Sequence, residues 1–128
     1  MKPIRVVLVE DNDTFRETLE LLFGLRPEIE VVASLASGVG APEVCAELQP
    51  NVVLLDYRMP GLDGEQTTRA VLAAAPEVRV VCLTASVSSR EVEALREAGA
   101  VACLTKDEDL EQIVAVVCDA PQGVHAPR

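Results

Sequence analysis

Short runs of Val, Ile and Leu alternate along the chain with amphipathic stretches whose apolar residues recur every three or four positions, the mark of strands alternating with helices. The runs are Ile4–Val9, broken only by Arg5, then Ile29–Leu35, Val52–Leu55, Val78–Leu83 and Val101–Leu104. They are nearly continuous in apolar character, as expected for strands of a parallel sheet covered on both faces. Between them lie five predicted helices. Asp13 is placed to cap the first, in which Phe15, Leu19, Leu22 and Phe23 form the apolar stripe before Pro27. Pro42 suits the first turn of the second, with Val44, Cys45 and Leu48 facing the core. Glu65–Ala75 forms the third and Pro76 stops it. Ser88 and Glu91 have the spacing of a capping box for the fourth, Val92, Leu95 and Ala98 follow, and Gly99 supplies the exit. The fifth follows Asp107, carries Leu110, Ile113, Val114, Val117 and Cys118, and closes at Pro121.

Five such βα units of about 25 residues imply right-handed crossovers and an open, doubly wound α/β fold built on a parallel five-stranded sheet. Ligands of such sheets bind outside the carboxyl ends of the strands, so the residues that terminate the apolar runs carry the information. The first run ends at Glu10-Asp11, the third at Asp56, the fourth at Thr84 and the fifth at Lys106. If the first strand lies beside the third, with the fourth and fifth following, these side chains converge on one crevice. Carboxylates about 5 Å apart repel by about 3 kcal/mol at an effective dielectric of 20, so a proton or a cation must relieve the cluster. An all-oxygen set favours a hard ion, Mg²⁺ rather than zinc or copper. A divalent ion beside one lysine and one threonine hydroxyl is suited to holding a phosphoryl group, with a carboxylate as the nucleophile.

Composition narrows the alternatives. The 128 residues, 49% hydrophobic and 25% charged, fit one globular domain. A net charge of −10 repels nucleic acid and anionic lipid, so the domain itself is expected to bind neither. The longest apolar runs fall far short of the roughly 20 residues of a membrane span, and the N-terminus lacks a signal-peptide pattern, so a cytoplasmic location is expected. Cys45, Cys82, Cys103 and Cys118 are widely spaced in apolar stretches and are expected to be buried, reduced thiols. His125 is the single histidine and lies in a Pro/Gly-containing tail, which removes Ser-His-Asp and Cys-His catalysis.

Glu10-Asp11, the stretch Asp56-Tyr57-Arg58-Met59-Pro60-Gly61-Leu62-Asp63-Gly64, Leu83-Thr84-Ala85 and Thr105-Lys106 together resemble the receiver domain of two-component response regulators, from about Ile4 to Asp119. The resemblance implies a flavodoxin-like strand order of 2-1-3-4-5, a receiver domain over residues 1–120 and a linker or disordered tail over 121–128. It further implies that Asp56 accepts a phosphoryl group from a phosphohistidine on a sensor histidine kinase. By the same resemblance Asp11, Asp56 and the backbone carbonyl of Arg58 hold Mg²⁺, and Glu10 acts through water. Lys106 would pair with the phosphoryl oxygens and Thr84 would move to bond one of them. A phosphorylation-dependent homodimer is a further expectation.

Cys103 stands where the family commonly has an aromatic switch residue, and Asp107 where many receivers have a proline joined by a cis bond. A cis bond without proline costs about 3–4 kcal/mol, so this peptide is either trans or strained. Arg58 and Ser86 occupy positions that in the family influence water access. The Lys106-Asp107 pair and the run from Arg58 to Gly64 are similar to receivers that precede a helix-turn-helix output domain of the NarL/LuxR type, which would make this a regulator of transcription. Three alternatives compete. Asp11-Asn12-Asp13-Thr14 partly resembles the nucleophile motif of haloacid-dehalogenase-like phosphatases, in which Asp11 would be phosphorylated. Flavin binding on the same fold is disfavoured by the acidic first loop and the few aromatics. A degenerate receiver would act only as a protein-binding module.

Overall fold

The computed structural model describes residues 2–59, 61–85 and 88–122. Ser86, Pro60, His125 and the tail beyond residue 122 lie outside the described residues. Strands β1 (Ile4–Val9), β2 (Ile29–Leu35), β3 (Val52–Asp56), β4 (Arg79–Thr84) and β5 (Ala102–Thr105) pair in parallel in the order β2-β1-β3-β4-β5. They alternate with α1 (Asp13–Gly24), α2 (Ala41–Leu48), α3 (Gly64–Ala74), α4 (Ser89–Ala98) and α5 (Leu110–Asp119), and a 3-10 turn covers Ala120–Gln122. The expected fold and strand order are those found.

The period of two along each inner strand divides the core into two layers. Val6 and Leu8 of β1, Val52 and Leu54 of β3, and Val81 and Leu83 of β4 face Leu19 and Phe23 of α1 and Ile113 and Val117 of α5. Their neighbours Val7, Val9, Val53, Leu55, Val80 and Cys82 face Cys45 of α2, Val71 of α3 and Leu95 of α4. Burying one such side chain contributes about 1.5–3 kcal/mol, so the inner strands are held from both sides. The edges differ from the expectation of strands covered on both faces. β2 is buried only at Ile29, and every residue of β5 is half-buried, because an edge strand has a sheet neighbour on one side alone. Arg5, the interruption in the first run, has a structural use. Its guanidinium donates to the carbonyls of Leu48 (2.8 Å) and Gln49 (2.9 Å), satisfying the C-terminal end of α2.

Helix boundaries shift by one or two residues for identifiable reasons. Asn12, not Asp13, caps α1: its side-chain oxygen accepts from the Phe15 amide at 2.8 Å, while Asp13 is the first helical residue and pairs with Arg16 at 2.8 Å. Asp63 caps α3, with a reciprocal box in which Gln66 reaches back to the Asp63 amide. α5 begins after Asp109, whose carboxylate accepts from the Gln112 amide, and Asp107 is instead engaged by the Thr105 hydroxyl. Pro121 does not close the last helix abruptly; the chain tightens into the 3-10 turn. Gly99 exits α4 at φ 116°, as its position suggested. Two of the four thiols depart from the expectation of burial. Cys45 and Cys82 are buried, whereas Cys103, on the edge strand, and Cys118, on α5, are half-exposed; all four are free.

Candidate functional site

Four strands deliver polar residues to one end of the sheet. Asp56 is the last residue of β3, paired in register with Leu83, so Thr84 at the end of β4 stands one step further along. The Glu10 amide donates to the Leu35 carbonyl at 2.9 Å, which extends the β1–β2 ladder by one residue and fixes where the carboxylate starts. The Lys106 amide donates to the Thr84 carbonyl at 2.7 Å in the same way, extending β4–β5. Backbone ladders thus position each of these residues before any side chain interacts.

The side chains converge as expected. Carboxylate oxygens of Glu10, Asp11 and Asp56 all lie within 4.8 Å of one another. Glu10 and Asp56 are 3% and 5% exposed, and Thr84 is 2% exposed. Asp11 reaches solvent. In this arrangement the cation that relieves the repulsion is Lys106, whose Nζ lies 2.9 Å from Glu10 Oε1 and 3.3 Å from Asp56 Oδ2. Burial pushes the Glu10 carboxyl above the ordinary range, with the Lys106 ammonium and the Asn12 amide opposing it. Burial also works against the charge on Lys106, but Glu10 and Asp56 outweigh it and hold the ammonium above its usual range. The lysine is therefore charged at neutral pH.

The donor set suits a hard cation. Glu10 already has a partner on each oxygen, Lys106 on one and the Asn12 amide on the other at 3.0 Å. Asp56 is engaged through longer contacts, 3.3 Å to Lys106 and 3.4 Å to the Arg58 amide, so its oxygens and those of Asp11 are the more available ligands for a hard ion such as Mg²⁺. The Arg58 amide lies 3.4 Å from Asp56 Oδ1, which brings the backbone of the β3–α3 loop to the rim of the cluster. That loop is held by the Gly64 amide donating to the Tyr57 carbonyl at 2.6 Å, an approach that leaves a Cβ at position 64 only 2.6 Å from the Tyr57 Cα. Tyr57 packs at the edge of the core, with the Arg58 guanidinium 5.8 Å from its ring centre.

Cys103 stands opposite Cys82 in the β4–β5 register and packs against the layer formed by α2, α3 and α4. Burial pushes its thiol up. No cis peptide bond occurs among the described residues, so the Lys106–Asp107 bond is trans and the loop avoids the cost of a cis bond without proline.

Residues that the sequence reading did not assign to the site also shape it. Phe15 lies under Lys106, with Nζ 4.7 Å from its ring centre, so the ammonium is held between an aromatic face and two carboxylates. Arg16 donates to the Glu10 carbonyl at 2.8 Å and pins the turn after β1. Glu91, read as a helix cap, sends its carboxylate to the Arg58 guanidinium at 2.8 Å. The heptad-like spacing of Phe15 and Leu19 hid the first of these inside a core stripe.

The family described as response regulator receiver domain matches residues 6–118. The transcriptional regulatory protein LnrK of Bacillus subtilis is 35% identical over 94% of this chain and 54% of its own length. The probable transcriptional regulatory protein NarL of Mycobacterium tuberculosis is 35% identical over 94% of this chain and 56% of its own. The chain thus spans about half the length of these curated relatives. Among solved structures, the receiver domain of the M. tuberculosis NarL regulator superposes with a TM-score of 0.90 at 35% identity, covering 96% of this chain and 99% of that one. A LuxR-family response regulator from Aurantimonas sp. SI85-9A1 superposes at 0.91 with 29% identity, covering 98% and 89% respectively. With its motifs on the strand ends, its 2-1-3-4-5 sheet and relatives of the NarL/LuxR type, the chain belongs to the response regulator receiver domain family.

Proposed function

We propose that this chain is a phosphorylation switch of a two-component system, in which Asp56 takes a phosphoryl group from a phosphohistidine of a sensor histidine kinase. The observation that carries the reading is the Asp56 carboxylate: nearly buried at a strand end, bonded by the Lys106 ammonium at 3.3 Å, and grouped with Glu10 and Asp11. Asp11, Asp56 and the backbone carbonyl of Arg58 would hold Mg²⁺, with Glu10 acting through water; when bound, the ion supplies the positive charge that lets a phosphoryl anion approach three carboxylates.

The remaining chemistry falls to the chain itself. An Asp56 oxygen attacks phosphorus as the phosphorus–nitrogen bond to the kinase histidine breaks, the histidine keeping the electron pair and taking up a proton. Lys106 leaves Asp56 for the phosphoryl oxygens, a short movement because its Nζ already stands beside that carboxylate. The Thr84 hydroxyl donates to another of those oxygens, and its movement biases the loops that lead into α4 and α5. A shift of a few kcal/mol between two such states is enough to reverse their populations.

Relatives named as transcriptional regulators support a transcriptional output for the longer protein, and a phosphorylation-dependent homodimer is the simplest way to couple the switch to it. Among the described residues no helix is long and apolar enough to cross a membrane. A cytoplasmic site of action is part of the proposal.

The test is incubation with Mg²⁺ and acetyl phosphate, followed by intact-mass analysis and mapping of the modified residue. One phosphoryl adduct on Asp56 is expected, abolished by Asp56→Asn and reduced by Asp11→Asn. An adduct on Asp11 would support the phosphatase reading instead, and no adduct with metal present would leave a degenerate, protein-binding receiver.

A further inference from the structure

The fourth helix begins with a capping box that is only half made. Ser88 Oγ accepts from the Glu91 amide at 3.1 Å, but the reciprocal bond, which Gln66 makes to Asp63 in α3, has no counterpart in α4 among the described residues. The Glu91 carboxylate is engaged by the Arg58 guanidinium at 2.8 Å, across a groove of about 500 Å³ lined by Tyr57, Arg58, Met59, Asp63 and Glu91. Glu91 is 19% exposed and Arg58 63% exposed, so the carboxylate is largely enclosed by the fold while the guanidinium side chain lies mostly in water. The Arg58 backbone adjoins the Asp56 carboxylate, its amide 3.4 Å from Oδ1.

Resting on the receiver reading, we infer that Glu91 is a positioning residue: it parks the Arg58 side chain on α4, and a phosphoryl group on Asp56 recruits that guanidinium and frees Glu91 to complete the capping box with Ser88. The electrostatics favour the exchange. An ion pair with one partner mostly in water is a weak lock. A phosphoryl group carries close to two negative charges and three acceptor oxygens, against one charge on Glu91. Arg58 matches phosphate oxygens with its planar fork of donors. Glu91 has a second partner waiting, because glutamate three residues after a serine cap is the natural reciprocal donor-acceptor pair of a helix start. The two arrangements are discrete, each with Glu91 satisfied, which is what a switch element needs. The β3–α3 loop and the first turn of α4 are therefore tied together in the resting chain and released from one another on phosphorylation.

The experiment uses the full chain with Mg²⁺ and acetyl phosphate, comparing the wild type, Glu91→Gln, Arg58→Gln and the double variant. In this reaction a bond from an Asp56 oxygen to phosphorus forms and the phosphorus–oxygen bond to the acetyl group breaks, acetate leaving with the electron pair. Glutamine at position 91 cannot hold the guanidinium by charge but can close the box as Gln66 does. The expected result is a KM for acetyl phosphate lowered about two- to fivefold in Glu91→Gln, the factor corresponding to an exposed ion pair, with the maximal rate little changed. The effect should vanish in the Arg58→Gln background. Amide exchange gives a second readout: protection of the first turn of α4 should rise with beryllofluoride in the wild type and be already raised without it in Glu91→Gln. A common KM for wild type and Glu91→Gln, an unchanged effect of Glu91→Gln in the double variant, or first-turn protection indifferent to beryllofluoride overturns this inference alone. A wild-type chain that takes no phosphoryl group on Asp56 overturns the receiver reading and this inference with it.

Discussion

Replacing Lys106 with methionine removes the ammonium that bridges Glu10 and Asp56 and keeps a flexible apolar stem of similar length over Phe15. The direct attraction lost is large: contacts of 2.9 Å to Glu10 and 3.3 Å to Asp56 are each worth about 5–6 kcal/mol at an effective dielectric of 20. Most of that is offset by the cost of desolvating the groups, and breaking a fully buried pair destabilises by about 3–5 kcal/mol. The lysine side chain keeps 20% of its surface exposed, which places the expected loss nearer about 2–3 kcal/mol at pH 8. The loss has a pH signature. Burial already raises the Glu10 carboxyl, and removing the ammonium that opposes this raises it further. A carboxyl raised in the folded state takes up its proton more readily there than in the unfolded chain, so its unfavourable contribution grows as pH rises through the folded value and fades below it. Urea denaturation of wild type and Lys106→Met from pH 5 to pH 8 measures the difference. The gap should narrow as pH falls, because the raised Glu10 carboxyl takes up its proton more readily in the folded variant than in the unfolded chain, and should also narrow with added Mg²⁺ at pH 8. A gap of the same size at every pH, indifferent to Mg²⁺, would refute the view that the lysine serves the fold as the counter-charge of the cluster.

Mg²⁺ at a hundredfold excess over its Kd should stabilise the wild type by about 2.7 kcal/mol in thermal denaturation, and Asp11→Asn should need far more metal for the same gain. Gly64→Ala forces a Cβ to within 2.6 Å of the Tyr57 Cα and should cost about 1–3 kcal/mol in the same assay while slowing phosphorylation, because the displaced loop carries Arg58. Thiol labelling of the native chain at pH 8 should modify Cys103 and Cys118 and spare the other two, since burial pushes Cys45 up to about 11 and Cys82 further still; four fast thiols would contradict the packing of the layer between the sheet and α2–α4. Cys103→Ala should leave beryllofluoride-induced changes in the α4 amide resonances largely intact, because a small thiol gains little from moving between exposed and buried positions, whereas Thr84→Ala should lose them.

The inner strands were legible because Val52–Leu55 and most of Val78–Leu83 are apolar at consecutive positions, so polar residues at their ends stand out, whereas the strand order came from the resemblance of the motifs to receiver domains. Asp56, Thr84 and Lys106 terminate three such runs, and the fold brings those ends to one rim. What the residue pattern could not resolve depends on geometry below the period of the pattern or on partners far along the chain. Asn12 and Asp13 both have cap chemistry, and only the position of the first turn decides between them. Arg5 looked like a defect in a strand because its partners, at the end of α2, are more than 40 residues away. The edges of the sheet looked as buried as its centre, because Val and Ile are used in both. Glu91 was read for its spacing to Ser88, and nothing local indicates that a residue 33 positions earlier would claim its carboxylate.

The carboxylate and ammonium groups at the sheet end come from positions 10, 11, 56 and 106, so no contiguous stretch of the chain contains a rudimentary version of the site. A fragment ending after α4 would keep three carboxylates and lose the lysine; one beginning at β2 would keep the lysine and one acid. On the proposed reading, metal affinity therefore reports that β1 has inserted beside β3, whereas full phosphoryl acceptance reports in addition that β5 has joined the far edge and delivered Lys106. Chain segments cut between α4 and β5 and then mixed would report their reassembly through the return of the Lys106-dependent property, which makes phosphoryl acceptance the readout for fragment complementation.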